Sequence, residues 1–414
     1  RAASGSAGDS LRAGTVMMHR ERSVFEVINR VIVVGLCQLG AVSAPLSADI
    51  SWPQSEWVQS DPASEGMDAE AIDQLDAEIR AGVHGNIDSM MIVRFGRVVF
   101  QAEYERDYTE QHQDLSYPSA APWDYLNPEA YPFRGSTKLH SLQSVSKSVM
   151  SALIGIAIDR GELSGLDATL GELLPHRNIV DPTIRAIRLE NLLTMTSGIQ
   201  WDEETSYFDP VNDATASEAT EDWVDFLLKK PLLKKPGEEF NYNSAVSQSL
   251  SEILATATGV PTNIYAERHL FNPIGIKDYY WNEAPEGFSN AGGGLFMAAA
   301  DLARFALLFA QQGEWNGRQV ISREWIERSR TSWVTAYPGS GLEWGYGYQW
   351  WIYRQPSQSG SGMYGGWGWG GQFPLVVPDL GLVAVFTGWN IRDDAGYAYP
   401  FDLFYDRVVL PLSQ

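Results

Sequence analysis

A strongly apolar stretch of the chain runs from His140 to Gly161 and predicts one buried helix. Its apolar residues lie on nearly every side of a helical projection, and Gly161 stands where helices commonly end. These apolar residues are Val145, Val149, Met150, Leu153, Ile154, Ile156, Ala157 and Ile158. A helix without a polar face is expected inside a core, so this segment is predicted to lie at the centre of the fold.

The segments before this helix predict a surface helix followed by a β-hairpin. Apolar residues recur at helical spacing in 67–81, whereas 89–95 and 98–104 are rich in β-formers around a turn at Gly96. A long, Pro-rich and aromatic loop follows at 106–136. Loops of this length often border functional clefts, although a loop that only covers the sheet is equally compatible with the pattern.

The rest of the chain changes from a helical to a β pattern near residue 345. Helices are predicted at 169–174, 189–195, 223–228, 244–259, 298–311, 322–329 and 398–409, and strands at 346–353, 368–377 and 382–387. Strands near both termini predict an α+β fold, an α/β sandwich in which terminal helices flank an antiparallel sheet and an all-α domain is inserted. We expect a sheet domain of 67–139 and 340–414 and a helical domain of 140–339, within one unit of 49–414.

The first 48 residues have the layout of an upstream extension followed by a secretory signal peptide. Arginines precede an apolar run at 31–44, small residues follow it, and the run is too short to span a bilayer comfortably. Export to the periplasm or the medium is predicted, with no integral membrane segment in the mature chain. Cys37, the only cysteine, lies in the run, so cleavage would remove all thiol chemistry. A lipoprotein acylated at Cys37 is less favoured, because Leu36 is larger than such sites prefer.

A formal net charge of −22 argues against nucleic acid or an anionic membrane as a partner, because no basic stripe is available to neutralise phosphates. Eight acidic residues and no basic one lie in 202–222, either as a solvated loop or as a wall that attracts a cationic substrate group. They are Asp202, Glu203, Glu204, Asp209, Asp213, Glu218, Glu221 and Asp222. The six histidines lack ligand spacing, so no metal or other cofactor is expected. The sequence is silent on oligomeric state.

Ser144 and Lys147 lie in the first turn of the predicted buried helix and project from the same face. A serine hydroxyl is a weak nucleophile unless a neighbouring base takes its proton, and a lysine can be that base only when its pKa is lowered. The apolar surroundings supply burial, and the helix N-terminus favours a developing oxyanion. The spacing alone is weak evidence, but Lys147 is the only one of seven lysines with a serine at this offset.

Two further segments fall in register with this pair. FNYNS at 240–244 precedes a predicted helix, and GWGGQ at 368–372 opens a predicted strand. With SVSK at 144–147, they give the chain a resemblance to the serine β-lactamase and penicillin-binding protein superfamily, in its class C β-lactamase-like branch. The resemblance covers residue 89 to the C-terminus. Supporting stretches are 189–201, 236–244 and 292–305.

The resemblance implies a β-lactamase/transpeptidase-like fold and a role for each motif residue. Ser144 would be the nucleophile, Lys147 its base, and Tyr242 a phenol or phenolate that relays a proton to the leaving group. A phenolate beside an ammonium can exist near neutral pH, because the opposite charge favours the ionised form. The backbone N–H groups of Ser144 and Gln372 would form an oxyanion hole. Considered alone, Tyr242 could equally be a core tyrosine.

The remaining predicted substrate-binding residues are Gly370, Gly371, Trp369 and Ser244. The glycines would let a substrate lie close to the strand. Trp369 stands where relatives commonly carry Lys or His, and Ser244 stands where the second motif commonly ends in Asn. The missing cation should weaken binding of a β-lactam or peptide carboxylate, because charge-assisted hydrogen bonds are among the stronger ones. Trp369 could also be a packed strand aromatic.

These departures favour an ester substrate. W-G-G in the third motif is similar to family VIII carboxylesterases, and Y-N-S with G-G-Q is similar to 6-aminohexanoate-dimer hydrolases. We expect a serine hydrolase that cleaves small-molecule carboxylic esters through a Ser144 acyl-enzyme. The alternative is an amidase acting on linear amides. A β-lactamase, a D-Ala-D-Ala carboxypeptidase and a non-catalytic penicillin-binding-like module are less favoured.

Overall fold

The computed structural model describes residues 49–118, 139–338, 344–354, 362–392 and 399–413. The predicted signal peptide at 1–48 and most of the predicted loop at 106–136 lie outside these residues, so export and the role of the loop stay predictions. Among the helices described, none combines the length and the apolar character needed to cross a bilayer.

The strands of the described residues form three sheets. In chain order they are β1 (Val58–Gln59), β2 (Ile87–Arg94), β3 (Arg97–Glu103), β4 (His140–Ser141), β5 (Tyr279–Trp281), β6 (Leu295–Met297), β7 (Glu314–Trp315), β8 (Arg318–Gln319), β9 (Val334–Ala336), β10 (Trp344–Tyr346), β11 (Trp351–Arg354), β12 (Met363–Gly365), β13 (Phe373–Val377) and β14 (Leu382–Gly388). The large sheet has the order β1-β3-β2-β14-β13-β12-β11-β10-β9, and only the β1–β3 pair is parallel. A small sheet has the order β4-β6-β5, and β7 pairs with β8.

Helices connect and cover these strands. They are α1 (Ala69–Arg80), α2 (Tyr108–Gln111), α3 (Val145–Asp159), α4 (Leu170–Leu173), α5 (Pro182–Arg185), α6 (Leu189–Leu193), α7 (Asp213–Glu218), α8 (Trp223–Leu228), α9 (Ser244–Thr258), α10 (Thr262–Ala266), α11 (Asn272–Ile274), α12 (Ala299–Ala310), α13 (Arg323–Ser329), α14 (Pro400–Phe404) and α15 (Leu410–Leu412). Short 3-10 turns occur at Ala63–Glu65 and Pro378–Leu380, and π turns at Glu267–Phe271 and Tyr405–Val409.

The centre of the large sheet is buried on both faces. Every residue of β13 and β14 is buried, which requires cover on each side of these strands. Helix α12 packs on β2, β13 and β14, α14 contacts β13, and the π turn that follows α14 packs against α1. The predicted α+β fold, with a mostly antiparallel sheet and terminal helices, is confirmed. The two predicted subdomains stay a prediction.

The central helix α3 is shorter than the predicted segment 140–161. Residues 145–157 of α3 are all buried, as expected for a helix without a polar face. His140 and Ser141, however, form β4, because they pair with Met297 and Phe296 of β6. The strand ends close to Ser144, and this short connection fixes the start of α3 against the small sheet.

A buried ion network ties α9, the main partner of α3, to two other segments. Glu252 on α9 is completely buried. The Arg177 guanidinium donates to both of its carboxylate oxygens, at 2.7 and 2.8 Å, and His176 Nε2 lies 2.7 Å from Oε1. Arg177 also donates to Asp222, the N-cap residue of α8, at 2.5 Å. A buried carboxylate is tolerated only when such partners replace its hydration.

We expect Arg177→Ala to lower the free energy of unfolding by about 3–5 kcal/mol, because it leaves a buried charge without its main partner. Urea unfolding followed by fluorescence measures the loss. Arg188→Ala is the control, since Arg188 pairs with Asp167 where both side chains are more than half exposed, and such pairs contribute at most about 1 kcal/mol. Equal losses in the two variants would contradict the assignment of Glu252 as a buried charge held by Arg177.

Candidate active site

Ser144 lies at the start of α3, directly after a residue in a strained backbone conformation. Gln143 has a φ of +47°, in the left-handed region that non-glycine residues rarely adopt. The Gln143 amide donates to Ser141 Oγ at 3.0 Å, and the Leu142 N–H donates to Leu295 O at 2.8 Å. These bonds hold the turn against β6. Ser144 is only half-buried, in contrast to the buried residues on either side of it, so its hydroxyl reaches the neighbouring cavity.

Lys147 reaches Ser144 from inside the protein. Its Nζ lies 2.8 Å from Ser144 Oγ and donates to Gly292 O at 2.5 Å. The residue is 1% exposed, so water cannot replace these contacts. The structure therefore brings the predicted nucleophile and base into direct contact.

Burial lowers the pKa of Lys147 to about 8, because removal from water disfavours the ammonium. The carboxylates of Glu203 and Glu218 act in the opposite direction and limit the shift. With this pKa, about one-tenth of the amine is neutral at pH 7 and can accept a proton from Ser144.

Tyr242 completes the predicted catalytic set. Its hydroxyl lies beside the Ser144 side chain, and Lys147 Nζ lies 5.0 Å from the centre of its ring. Trp351 stacks on the ring at 5.8 Å between centroids. Asn243, the residue after Tyr242, is fixed at the N-terminus of α9, because its Oδ1 accepts hydrogen bonds from the first free N–H groups of that helix.

The environment of Tyr242 favours the neutral phenol. Burial raises its pKa well above the ordinary value, the Glu203 charge raises it further, and the contact with Ser144 opposes the shift only in part. Of the two forms considered from sequence, the structure therefore supports a phenol that can donate a proton, with Lys147 as the group able to accept one.

The third motif forms a tight loop before β13. Gly370 and Gly371 have φ values of +87° and +114°, which side chains other than glycine rarely allow. The Gln372 side chain is buried, with Nε2 donating to Gly388 O at 2.7 Å. The Gln372 N–H donates to Gly368 O at 3.1 Å, so this amide is engaged within the loop.

The other predicted oxyanion donor is differently placed. Within the described residues, the Ser144 N–H donates to no backbone or side-chain acceptor, and it lies at the N-terminus of a 15-residue helix. It is therefore ready to bind an oxygen that carries negative charge. The oxyanion role of Gln372 stays a prediction.

A cavity that is partly open to solvent lies next to Ser144. Its lining in the described residues is Tyr117, Gln143, Ser144, Tyr207, Ala214, Ser217, Glu218, Trp223, Ser244, Ala245, Gln248, Asn290, Gly292, Gly293 and Trp369. Of the predicted set, Ser144, Ser244 and Trp369 line it. Lys147 and Tyr242 contact Ser144 from beside it, whereas Gly370, Gly371 and Gln372 do not contribute to this lining.

Trp369 forms an aromatic wall of the cavity. Its ring centroid lies 5.1 Å from that of Tyr207, 5.7 Å from Phe208, 6.3 Å from Tyr117 and 6.0 Å from Trp389. The position that often carries a cation in similar proteins is thus part of an apolar cluster here. Tyr117, in the described part of the predicted loop 106–136, lines the cavity, and the role of the rest of the loop stays a prediction.

Glu203 is a site residue that sequence reasoning did not single out. It is 7% exposed, and its carboxylate accepts hydrogen bonds from Trp201, Tyr207 and both the N–H and the hydroxyl of Ser244. The neighbouring Glu204 is exposed and accepts instead from Tyr337 at 3.0 Å. Nothing in the spacing of two consecutive glutamates distinguishes these environments.

The other residues of the acidic stretch have varied roles. Asp213 pairs with Lys230 at 2.5 Å, and Asp222 belongs to the Arg177 network. Glu218 lines the cavity and accepts from Tyr117 at 3.0 Å. No group of three or more potential metal ligands occurs in the part of the chain that the structure describes.

Comparison with known families decides the relationship. The profile of the family described as Beta-lactamase matches residues 75–393 of the 414-residue chain. The chain belongs to the β-lactamase family. The resemblance seen in the three motifs is thereby confirmed.

One curated protein that is similar to this β-lactamase family member carries the name of a hydrolase. The 6-aminohexanoate-dimer hydrolase of Paenarthrobacter ureafaciens is 26% identical over 249 residues, which are 55% of this chain and 61% of that protein. The chain thus matches about three-fifths of the length of this curated relative.

Two solved structures share the fold. A Bacillus anthracis protein provisionally named 6-aminohexanoate-dimer hydrolase superposes with a TM-score of 0.63 at 17% identity, covering 87% of this chain and 86% of that one. EstCE1, a hydrolase with promiscuous acyltransferase activity, gives a TM-score of 0.57 at 17% identity, covering 77% and 93%. Both similarities concern the fold alone.

We expect labelling of Ser144 by a fluorophosphonate to depend on pH through Lys147. The pKa of Lys147 is lowered to about 8, so the neutral amine that activates Ser144 increases as the pH rises toward 8 and is nearly complete above 9. The labelling rate should rise about tenfold between pH 6 and 7 and level off above 9. Mass spectrometry of the labelled peptide measures it.

Lys147→Ala is the control for this experiment, since it removes the titrating amine and should leave slow labelling that does not follow the same curve. A wild-type rate that stays constant from pH 6 to 9 would contradict the role of Lys147.

Proposed function

We propose that this β-lactamase family member is a serine hydrolase that cleaves carboxylic esters through an acyl-enzyme on Ser144. The observation that carries the proposal is the 2.8 Å contact between Ser144 Oγ and the buried Lys147 Nζ, at the edge of a cavity. A serine activated in this way can attack a bound carbonyl group.

The first step is acylation. Neutral Lys147 takes the hydroxyl proton while Ser144 Oγ bonds to the ester carbonyl carbon, and the carbonyl oxygen becomes an oxyanion. The Ser144 N–H at the helix N-terminus is proposed to bind this oxyanion. The Gln372 N–H is the proposed second donor, and it would have to exchange its bond with Gly368 O for one to the substrate.

The second step releases the alcohol and then the acid. When the oxyanion collapses and the ester C–O bond breaks, Tyr242, a neutral phenol beside Ser144, is proposed to give its proton to the departing alkoxide, and the ammonium of Lys147 can restore that proton. Water then attacks the carbonyl carbon of the acyl-enzyme and gives one proton to neutral Lys147. The bond from this carbon to Ser144 Oγ breaks, Oγ takes the proton back, and the acid leaves.

The aromatic wall favours neutral substrates over carboxylates. Trp369 packs among aromatic side chains and offers no charge to an anionic substrate group, so β-lactams and D-Ala-D-Ala peptides would lose a charge-assisted hydrogen bond. Esters without a carboxylate do not need that contact. We also propose, from the sequence of 1–48, that the mature protein acts outside the cytoplasm on small molecules.

Hydrolysis of p-nitrophenyl acetate and butyrate tests the proposal. We expect Ser144→Ala to lower kcat by roughly 10⁴-fold or more, because no other group can form the acyl-enzyme. Ser151→Ala is a matched control on the same helix. Ser151 is fully buried and its hydroxyl has no hydrogen-bond partner among the described residues, so its loss should leave the rate unchanged. Equal rates for wild type and Ser144→Ala would refute the proposal.

A second candidate function is the hydrolysis of linear amides that carry an ammonium group. Two carboxylates favour it: Glu218 lines the cavity, and Glu203 lies directly behind Ser244 and Tyr207. The relative named 6-aminohexanoate-dimer hydrolase gives a concrete substrate to try. If this candidate is correct, incubation with the 6-aminohexanoate dimer will release the free amino acid, as judged by chromatography. Ester hydrolysis without any such release would exclude it.

A further inference from the structure

The carboxylate of Glu203 fixes the direction of two hydroxyl groups that line the cavity. Ser244 Oγ donates to Glu203 Oε1 at 2.5 Å, and the Tyr207 hydroxyl donates to the same oxygen at 2.8 Å. The second oxygen, Oε2, accepts from Trp201 Nε1 at 2.7 Å and from the Ser244 N–H at 2.8 Å. Four donors therefore converge on one side chain.

The four hydrogen bonds around Glu203 match those of a carboxylate that acts only as an acceptor. Each oxygen accepts two hydrogen bonds. A proton on Oε2 would face two N–H donors, and a proton on Oε1 would force one of the two hydroxyls to turn from donor to acceptor. Glu203 is 7% exposed and forms no ion pair with a basic side chain in the residues that the structure describes. A negative charge is thus buried behind the cavity wall, where four hydrogen bonds stabilise it and the Lys147 amine lies close enough to interact with it.

This bonding pattern determines which hydrogen bonds Ser244 and Tyr207 can form with a substrate. A hydroxyl has one proton to donate, and both Ser244 and Tyr207 have committed theirs to Glu203. In the described part of the chain, no group donates to either hydroxyl oxygen. Both residues line the cavity, so their hydroxyl oxygens keep lone pairs that can accept a hydrogen bond. The hydroxyl groups of Ser244 and Tyr207 can therefore accept hydrogen bonds from a substrate, but they cannot donate one without breaking a bond to Glu203.

We propose that Glu203 is a specificity-determining residue: it makes Ser244 and Tyr207 fixed acceptors for a hydrogen-bond donor on the substrate, with a protonated amine as the best ligand. This inference rests on the proposed function, because it concerns the substrate of the Ser144 hydrolase. Hydroxyl groups satisfy the same acceptors but gain less, since the buried carboxylate attracts positive charge in addition. A substrate carboxylate would be repelled by the lone pairs of these two hydroxyl oxygens and by the negative charge of Glu203.

Four p-nitrophenyl esters with acyl chains of matched length test the proposal. The chains end in an ammonium, a hydroxyl, a methyl or a carboxylate group, and kcat/KM is measured for each. We expect the order ammonium, hydroxyl, methyl, carboxylate, with at least about a tenfold preference for ammonium over methyl. Glu203→Gln should reduce that preference to within about twofold. The Gln amide can donate to Ser244 and free its proton, so the carboxylate ester should improve relative to the methyl ester.

Glu204→Gln is the matched control, since it makes the same change one residue along the chain, where the side chain is exposed and bonds to Tyr337. It should keep the wild-type order. An unchanged order in Glu203→Gln, or an equal change in Glu204→Gln, would overturn the proposal. Should Glu203→Gln fail to fold, Ser244→Ala and Tyr207→Phe each remove one acceptor and should each reduce the ammonium preference.

The methyl-ended ester separates this inference from the proposed function. If the wild type hydrolyses this ester and Ser144→Ala does not, the result supports the proposed hydrolase and does not depend on Glu203. Hydrolysis with no preference among the four chain ends would leave the hydrolase standing and remove the role of Glu203.

Discussion

The site depends on the contact between the buried amine of Lys147 and the hydroxyl of Ser144. Lys147 Nζ has two oxygen neighbours, Ser144 Oγ and Gly292 O, and is otherwise surrounded by protein. This burial lowers the pKa of Lys147 to about 8 and turns a residue that is normally an ammonium into a usable base. Exposure of the same lysine would restore its charge and leave Ser144 an ordinary serine.

The fold serves this contact by surrounding α3. The helix packs against α9, which brings Tyr242 and Ser244 to its first turn, and the small sheet fixes the turn that precedes Ser144. Residues far apart in the chain therefore meet at one end of one buried helix. The Arg177–Glu252 network stabilises the far part of α9 and so supports the same geometry from a distance.

The sequence predicted the parts of the site that follow from local pattern. The spacing of Ser144 and Lys147 and the apolar character of α3 predicted the contact between these two side chains and the burial of Lys147. The resemblance to a family supplied their catalytic roles and that of Tyr242, and these roles stay predictions. The start of α3 was placed too early, because the pairing of His140 with Met297 is a contact between distant segments. Glu203 could not be told from Glu204 for the same reason, since its environment is made by Ser244, 41 residues away. The engagement of the Gln372 N–H with Gly368 O depends on a loop conformation that no periodicity encodes.

The aromatic surroundings of Trp369 have a practical consequence for chemical probes of this protein. Penicillin-derived reagents carry a carboxylate, and the third motif here presents an indole packed among other rings instead of a cation. Surveys that detect members of this family by antibiotic-based fluorescence would consequently under-count proteins with such a wall. Uncharged phosphonate reagents are the appropriate choice for finding them in a proteome.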